Sequence, residues 1–180
     1  MTIHRSAALA LCGLIGLSST ARAQHAEAKA PAITKAVAVL IPTKDSKVEG
    51  RITFTEDGGK VKVHGVITGL TPGKHGFHVH EFGAWSEDGM ASGGHFNPTA
   101  EKHAGHDAPA RHVGDLGNVT ADESGKATID LEDAHLKLHG ATSIIGRGLV
   151  VHEKADDLTS QPAGNAGGRL AVGVIGVAKP

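Results

Sequence analysis

Val48-Glu49-Gly50-Arg51-Ile52-Thr53-Phe54-Thr55 and Val61-Lys62-Val63-His64-Gly65-Val66-Ile67 flank the short stretch Glu56-Asp57-Gly58-Gly59-Lys60. In the first run Ile52 and Phe54 alternate with Arg51 and Thr53. In the second, Val61, Val63 and then Gly65 or Val66 stand against Lys62 and His64. A period of two puts one set on a buried face and the other in water, the mark of a half-buried strand. Asp57-Gly58-Gly59 between the runs is a hairpin signal. Working outward, Ala36–Leu40, Gly76–His80, Leu116–Thr120, Ala127–Leu131, Gly148–His152 and Leu170–Val177 read as further strands. Thr71-Pro72-Gly73 is a turn, and Asp122-Glu123-Ser124-Gly125 is expected to close a hairpin. No helix-length period and no internal repeat appears after residue 23. The expectation is an all-β fold: a barrel-like body of about eight strands.

Composition agrees. Glycine is frequent at 25 of 180 residues and aromatic residues make up only 3%, so the core must be aliphatic. The formal net charge of −1 argues against a broad nucleic-acid surface or a polybasic membrane anchor. Residues 1–23 carry Arg5, an apolar stretch from Ala7 to Leu17 and the small-x-small sequence Ala21-Arg22-Ala23. That stretch is too short to span a bilayer, and the pattern predicts a signal peptide cleaved after Ala23. Lipoprotein processing at Cys12 fits less well, because Leu11 precedes it. Residues 24–32 read as a flexible lead-in and 33–180 as one domain, delivered to the periplasm or secreted. Cleavage removes Arg5 and Arg22 but no acid, shifting the net charge from −1 to −3. It also removes Cys12, leaving a mature chain without a thiol in an oxidising compartment.

Thirteen histidines are the outlier. His78 and His80 stand at i and i+2 on one strand, so they share a face and can chelate one ion. From Glu81 to Gly114 no regular period exists, and loops this long are usually functional. This loop and its end offer His95, His103, His106, His112 and Asp115, while His152 ends an apolar strand. Imidazole suits copper or zinc, and a lone carboxylate suits zinc. His135 and His139 alternate with Leu136 and Leu138, which predicts both histidines on a wet face.

The motifs Gly76-Phe77-His78-Val79-His80-Glu81-Phe82-Gly83, His95-Phe96-Asn97-Pro98, Arg111-His112-Val113-Gly114-Asp115-Leu116-Gly117-Asn118-Val119-Thr120, Ile144-Ile145-Gly146-Arg147 and Gly164-Asn165-Ala166-Gly167 resemble copper/zinc superoxide dismutase. The resemblance runs from about Lys35 to the end. It implies a flattened eight-stranded Greek-key β-barrel with the metals held by two long loops. It implies copper at His78, His80, His95 and His152, and zinc at His95, His103, His112 and Asp115, with His95 bridging. Asp156 falls on the carboxylate that links a copper histidine to a zinc histidine. Arg169 falls on the arginine that docks the superoxide anion, and His75 on a structural histidine. His106 has no counterpart; it is expected in solvent, with zinc ligation as the alternative.

Two departures from the family pattern stand out. The family's disulfide positions read Gly89 and Val172, and the family's electrostatic loop is shortened to Leu158–Gly164, without a charge. Losing a bridge costs about 2–4 kcal/mol, so the loop around Trp85–Met90 needs other anchors, Trp85 among them. Gly83, Ile145-Gly146 and Val174–Val177 match interface positions of dimeric members, so a homodimer is expected. The resemblance implies a superoxide dismutase that makes dioxygen and hydrogen peroxide. A non-enzymatic copper-binding or copper-delivery protein is the alternative, disfavoured by Arg169, for which a pure binder has no need.

Overall fold

The computed structural model describes residues 32–180; the expected signal peptide and nearly all of the lead-in lie outside the described residues. Eight strands follow in order: β1 Lys35–Pro42, β2 Glu49–Asp57, β3 Lys60–Thr68, β4 Gly73–His80, β5 Asp115–Ala121, β6 Ala127–Asp133, β7 Gly148–His152 and β8 Arg169–Val177. They form one antiparallel sheet in the order β5-β4-β7-β8-β1-β2-β3-β6. The sheet curls into a nearly closed barrel, bringing its end strands β5 and β6 into contact. Spatial order departs from chain order at β3-to-β4 and β6-to-β7, as a Greek key requires.

The alternation read from the sequence holds. Ala36, Ala38 and Leu40 of β1, Ile52 and Phe54 of β2, and Val61, Val63 and Ile67 of β3 are buried. Gly65 takes the inward position and Val66 the outer one, settling the phase of β3. Gly58 and Gly59 have φ of 56° and 83°, the left-handed pair that a two-residue hairpin turn needs. Burying each Val, Ile, Leu or Phe contributes about 1.5–3 kcal/mol.

Asp122–Gly125 is a tight turn, with the Gly125 amide donating to Asp122 O (2.9 Å), but it does not close a β-hairpin. β5 pairs with β4, and β6 pairs with β3. The turn spans the seam where the barrel closes, a relation that local turn chemistry cannot express. On the His135 strip, Leu136 and Leu138 are buried as expected and His139 is exposed. His135 is half-buried instead of wet, with Nδ1 shielded from solvent, and it shares a groove with Pro109, Ala110 and Arg111 of the long loop.

Val172 is buried at 1% exposure beside Gly89. Other bonds hold the loop there. Trp85 Nε1 donates to Pro42 O (3.2 Å), and the Lys44 amide donates to Glu87 O (2.6 Å). Arg147 lies over the Phe96 ring at 4.3 Å and donates to Glu81 O (2.6 Å), fixing the loop's start.

Candidate metal centre

β4 is buried on both faces from His75 onward. Phe77 and Val79 point into the barrel, so His78 and His80 point outward, where the long loops cover them. β7 pairs with β4 and ends at His152. The loop returns His95 to β4 through an isolated bridge between His80 and His95. Two groups result: His78, His80, His95 and His152, and His95, His103, His112 and Asp115. In each, one ligand atom per residue lies within 4.8 Å of the others, and all the residues are buried. Among the described residues these are the two groups able to hold a metal, and His95 belongs to both. The structure thus brings together every residue assigned to the copper and zinc sets.

The outer hydrogen bonds leave one nitrogen of most of these rings unused. His78 donates from Nε2 to Asp156 Oδ2 (2.8 Å), and His80 from Nδ1 to Gly93 O (2.9 Å). His152 Nδ1 reaches Gly167 O (3.3 Å), and His103 Nε2 donates to Asp156 Oδ1 (2.9 Å). His78 Nδ1, His95 Nε2, His103 Nδ1 and His112 Nδ1 are then buried without a hydrogen-bond partner. Asp115 Oδ1 lies 2.8 Å from His95 Nδ1, 3.1 Å from His103 Nδ1 and 3.2 Å from His112 Nδ1. Orphaned buried nitrogens are costly, and a cation between them answers that cost. The first set is four nitrogens, which suits Cu(II); the second is three nitrogens and one carboxylate, which suits tetrahedral Zn(II). The residues present fit both ions.

The electrostatics keep His78, His80 and His152 neutral, as ligands to a cation must be, whereas His103 has to give up a proton. Burial lowers His80 well below its ordinary value; burial, reinforced by neighbouring His78, brings His152 down to about 3. Burial also outweighs the Asp156 bond at His78, lowering it to about 4. Burial opposes a charge on His103, but the neighbouring carboxylates of Asp115 and Asp156 prevail and raise it to about 9. The two aspartates are in turn held below the usual carboxylate range by those histidines, against the opposing effect of burial.

Asp156 bridges His78 to His103, the linking role assigned to it, and is itself fixed by Asn118. Asn118 Nδ2 donates to Asp156 O (2.9 Å), and its Oδ1 accepts from the Asp156 amide (2.7 Å). Arg169 sits opposite His152 in the β7–β8 pairing. Its guanidinium donates to Gly89 O (2.6 Å), Ser92 Oγ (2.9 Å) and Gly93 O (2.6 Å), the carbonyl that also receives His80. A cavity of about 300 Å³ is lined by His80, His95 and His152 on one side and Asp88, Gln161 and Arg169 on others.

His106 belongs to neither group and is only half-exposed. Its Nε2 lies 3.3 Å from Asp133 Oδ2 rather than in solvent, because Arg111 draws the loop against the end of β6. His75 is structural, as expected: Nδ1 pairs with His152 O (2.8 Å), and Nε2 with the carbonyl (2.9 Å) and hydroxyl (3.2 Å) of Thr71. Sequence reasoning assigned no role to Ser92, Asn118, Gly164 or Gln161. Asn118 and Gly164 stand inside the motifs quoted above; Ser92 and Gln161 carry no local signal.

The family model for copper/zinc superoxide dismutase matches residues 48–175. Among solved structures, the crystal structure of the clock protein EA4 is 47% identical, with a TM-score of 0.75, and the match covers 82% of this chain and 98% of that one.

Proposed function

This chain belongs to the copper/zinc superoxide dismutase family, and from that membership we propose that it disproportionates superoxide into dioxygen and hydrogen peroxide. The observation that carries the reading is the pair of buried groups sharing His95, the first of which opens through His80, His95 and His152 to a cavity whose wall includes Arg169. Copper bound by His78, His80, His95 and His152 would supply one-electron chemistry that no side chain offers, beside zinc on the His103 side. Arg169 keeps its charge and presents fixed donors, so it holds a small anion against the copper-side histidines. Gly93 O receives both Arg169 and His80 and so sets the docking cation and a ligand in one frame. His95 Nε2 has no protein partner, so it takes a proton in one half of the cycle and returns it to the departing peroxide in the other. Asp156 fixes the tautomers of His78 and His103.

The second reading is a metal-binding protein without catalytic duty, favoured by the relative described as a clock protein. Dismutation by the mature protein loaded with both metals, together with a metal count, separates the two. One copper and one zinc per chain with activity supports the enzyme; both metals without activity supports the second reading. We further propose cleavage after Ala23, a periplasmic or secreted location, and a second copy as the partner. No helix among the described residues is long and apolar enough to cross a membrane.

A further inference from the structure

The loop that walls the cavity also grips the zinc-side group from behind. Gln161 Oε1 accepts from the His103 amide (2.9 Å), while Gln161 Nε2 donates to His103 O (2.8 Å) and Thr159 O (3.1 Å). Around His103 the chain runs in no strand or helix, so no ladder satisfies that residue's backbone. The carboxamide supplies both missing partners from a residue 58 positions away. His103 is thus fixed at its backbone by Gln161 and at ring Nε2 by Asp156, both in the same short loop. What remains free is Nδ1, the nitrogen that faces His95, His112 and Asp115.

We propose that Gln161 is a positioning residue for the metal at His95, His103, His112 and Asp115, setting how fast that ion is released. The inference rests on the metal reading above. If either peptide flanking the His103 Cα rotates, Nδ1 leaves its place; the carboxamide holds the N–H of one and the C=O of the other. Groups that orient a ligand typically govern metal affinity by 10–100-fold when removed. The same loop continues through Pro162 and Ala163 along the cavity wall. Ion binding on the zinc side therefore orders the wall past which the substrate anion moves.

The test uses the full mature protein loaded with Zn(II) and chased with excess colorimetric chelator. Gln161→Met keeps the size and loses every polar contact; Gln161→Glu keeps the acceptor and loses the donor. Release from Gln161→Met is expected to be about tenfold faster than from wild type, with Gln161→Glu between them and the metal-free melting temperature unchanged in both. Zn(II) should also slow hydrogen exchange of the Ser160 and Gly164 amides in wild type but not in Gln161→Met. Equal release rates overturn the proposal. So does a metal-free melting temperature that falls in step with faster release, since Gln161 would then serve the fold alone. A wild-type protein that takes up no Zn(II) sinks the metal reading itself and this inference with it, a result distinct from equal release.

Discussion

Arg169 reaches across the cavity to three acceptors on the Gly89–Gly93 turn, so its charge is placed by the opposite wall rather than by its own strand. Burial lowers its pKa from the ordinary value, while Asp88 opposes that shift. Asp88 is on the same cavity wall, held below the usual carboxylate range by the Met90 amide and the Ser86 hydroxyl. The uncharged Leu158–Gly164 loop adds no steering, and Asp88 offsets part of the arginine's field. Dismutation should therefore depend weakly on ionic strength near neutral pH, while Arg169→Ala should lower the rate constant about tenfold or more. Rate constants for both proteins across a salt series check this; a steep wild-type slope would show that other charges steer. Gly164 offers a second test. Its φ is +63°, and an added Cβ would lie 1.8 Å from Asp156 Oδ1 and 2.7 Å from His103 Nε2. Gly164→Ala must displace the Asp156 bridge, so zinc affinity should fall about 10–100-fold in chelator competition, with the strand signal in circular dichroism retained.

At the scale of elements, the end of β6 anchors the loop that carries His103, His106 and His112. Asp133 accepts from the guanidinium of Arg111 and from the His135 (2.6 Å) and Leu136 (2.8 Å) amides, with His106 Nε2 3.3 Å away. Burial works against its charge, but His106 and Arg111 prevail and bring it down to about 2. A depressed carboxylate contributes stability that is present above its unfolded value near 3.9 and lost as pH falls from about 4 to about 2. His106 is raised, chiefly by Asp133, so its contribution is present below about 6.5 and lost as pH rises through the folded value. The pair is strongest between about pH 4 and 6.5. Asp133→Asn leaves Arg111 buried without its partner and should cost about 3–5 kcal/mol, flattening both limbs. Denaturant unfolding of the metal-free protein across pH measures this; an acid limb of unchanged depth would assign it to other carboxylates.

For the whole molecule, Val172 packed beside Gly89 and the bonds from Trp85 and Arg169 hold the loop around Gly89 with no cysteine in residues 32–180. A mature chain cut after Ala23 has no thiol, so melting of the metal-free protein should not respond to reductant. Zinc should raise stability by mass action, about 2.7 kcal/mol at a hundredfold excess over Kd. Melts of metal-free and zinc-loaded protein, with and without reductant, test both parts, and a reductant-dependent drop would contradict the first. The outer faces of β1 and β8 expose Val39, Ile41 and Val174, and Phe82 and Trp85 are exposed as well. Exposed apolar groups of this kind are where the proposed second copy would sit. A dimer that sediments as two copies, and as one after Val174→Glu, is expected; a wild-type monomer at high concentration would remove that partner.

The strands were legible because period two survives wherever one face is wet: Ile52 and Phe54 sit where the pattern placed them. The two buried clusters were legible because His78, His80 and His152 lie on strands or their ends and long motifs carry His95, His112 and Asp115, while His103 stands outside those motifs. His135 and His106 were not, since their burial depends on which distant segment covers them. That β5 pairs with β4 and β6 with β3, leaving the barrel seam between β5 and β6, was hidden for a like reason: turn residues fix local geometry, not the partner of a ladder. Residue type and spacing thus determined the strands and the donor chemistry of the buried histidine groups. Only the tertiary structure decided which nitrogen of each ring stays free, which carbonyl Arg169 shares with His80, and that Gln161 closes on His103, because each joins side chains far apart in sequence.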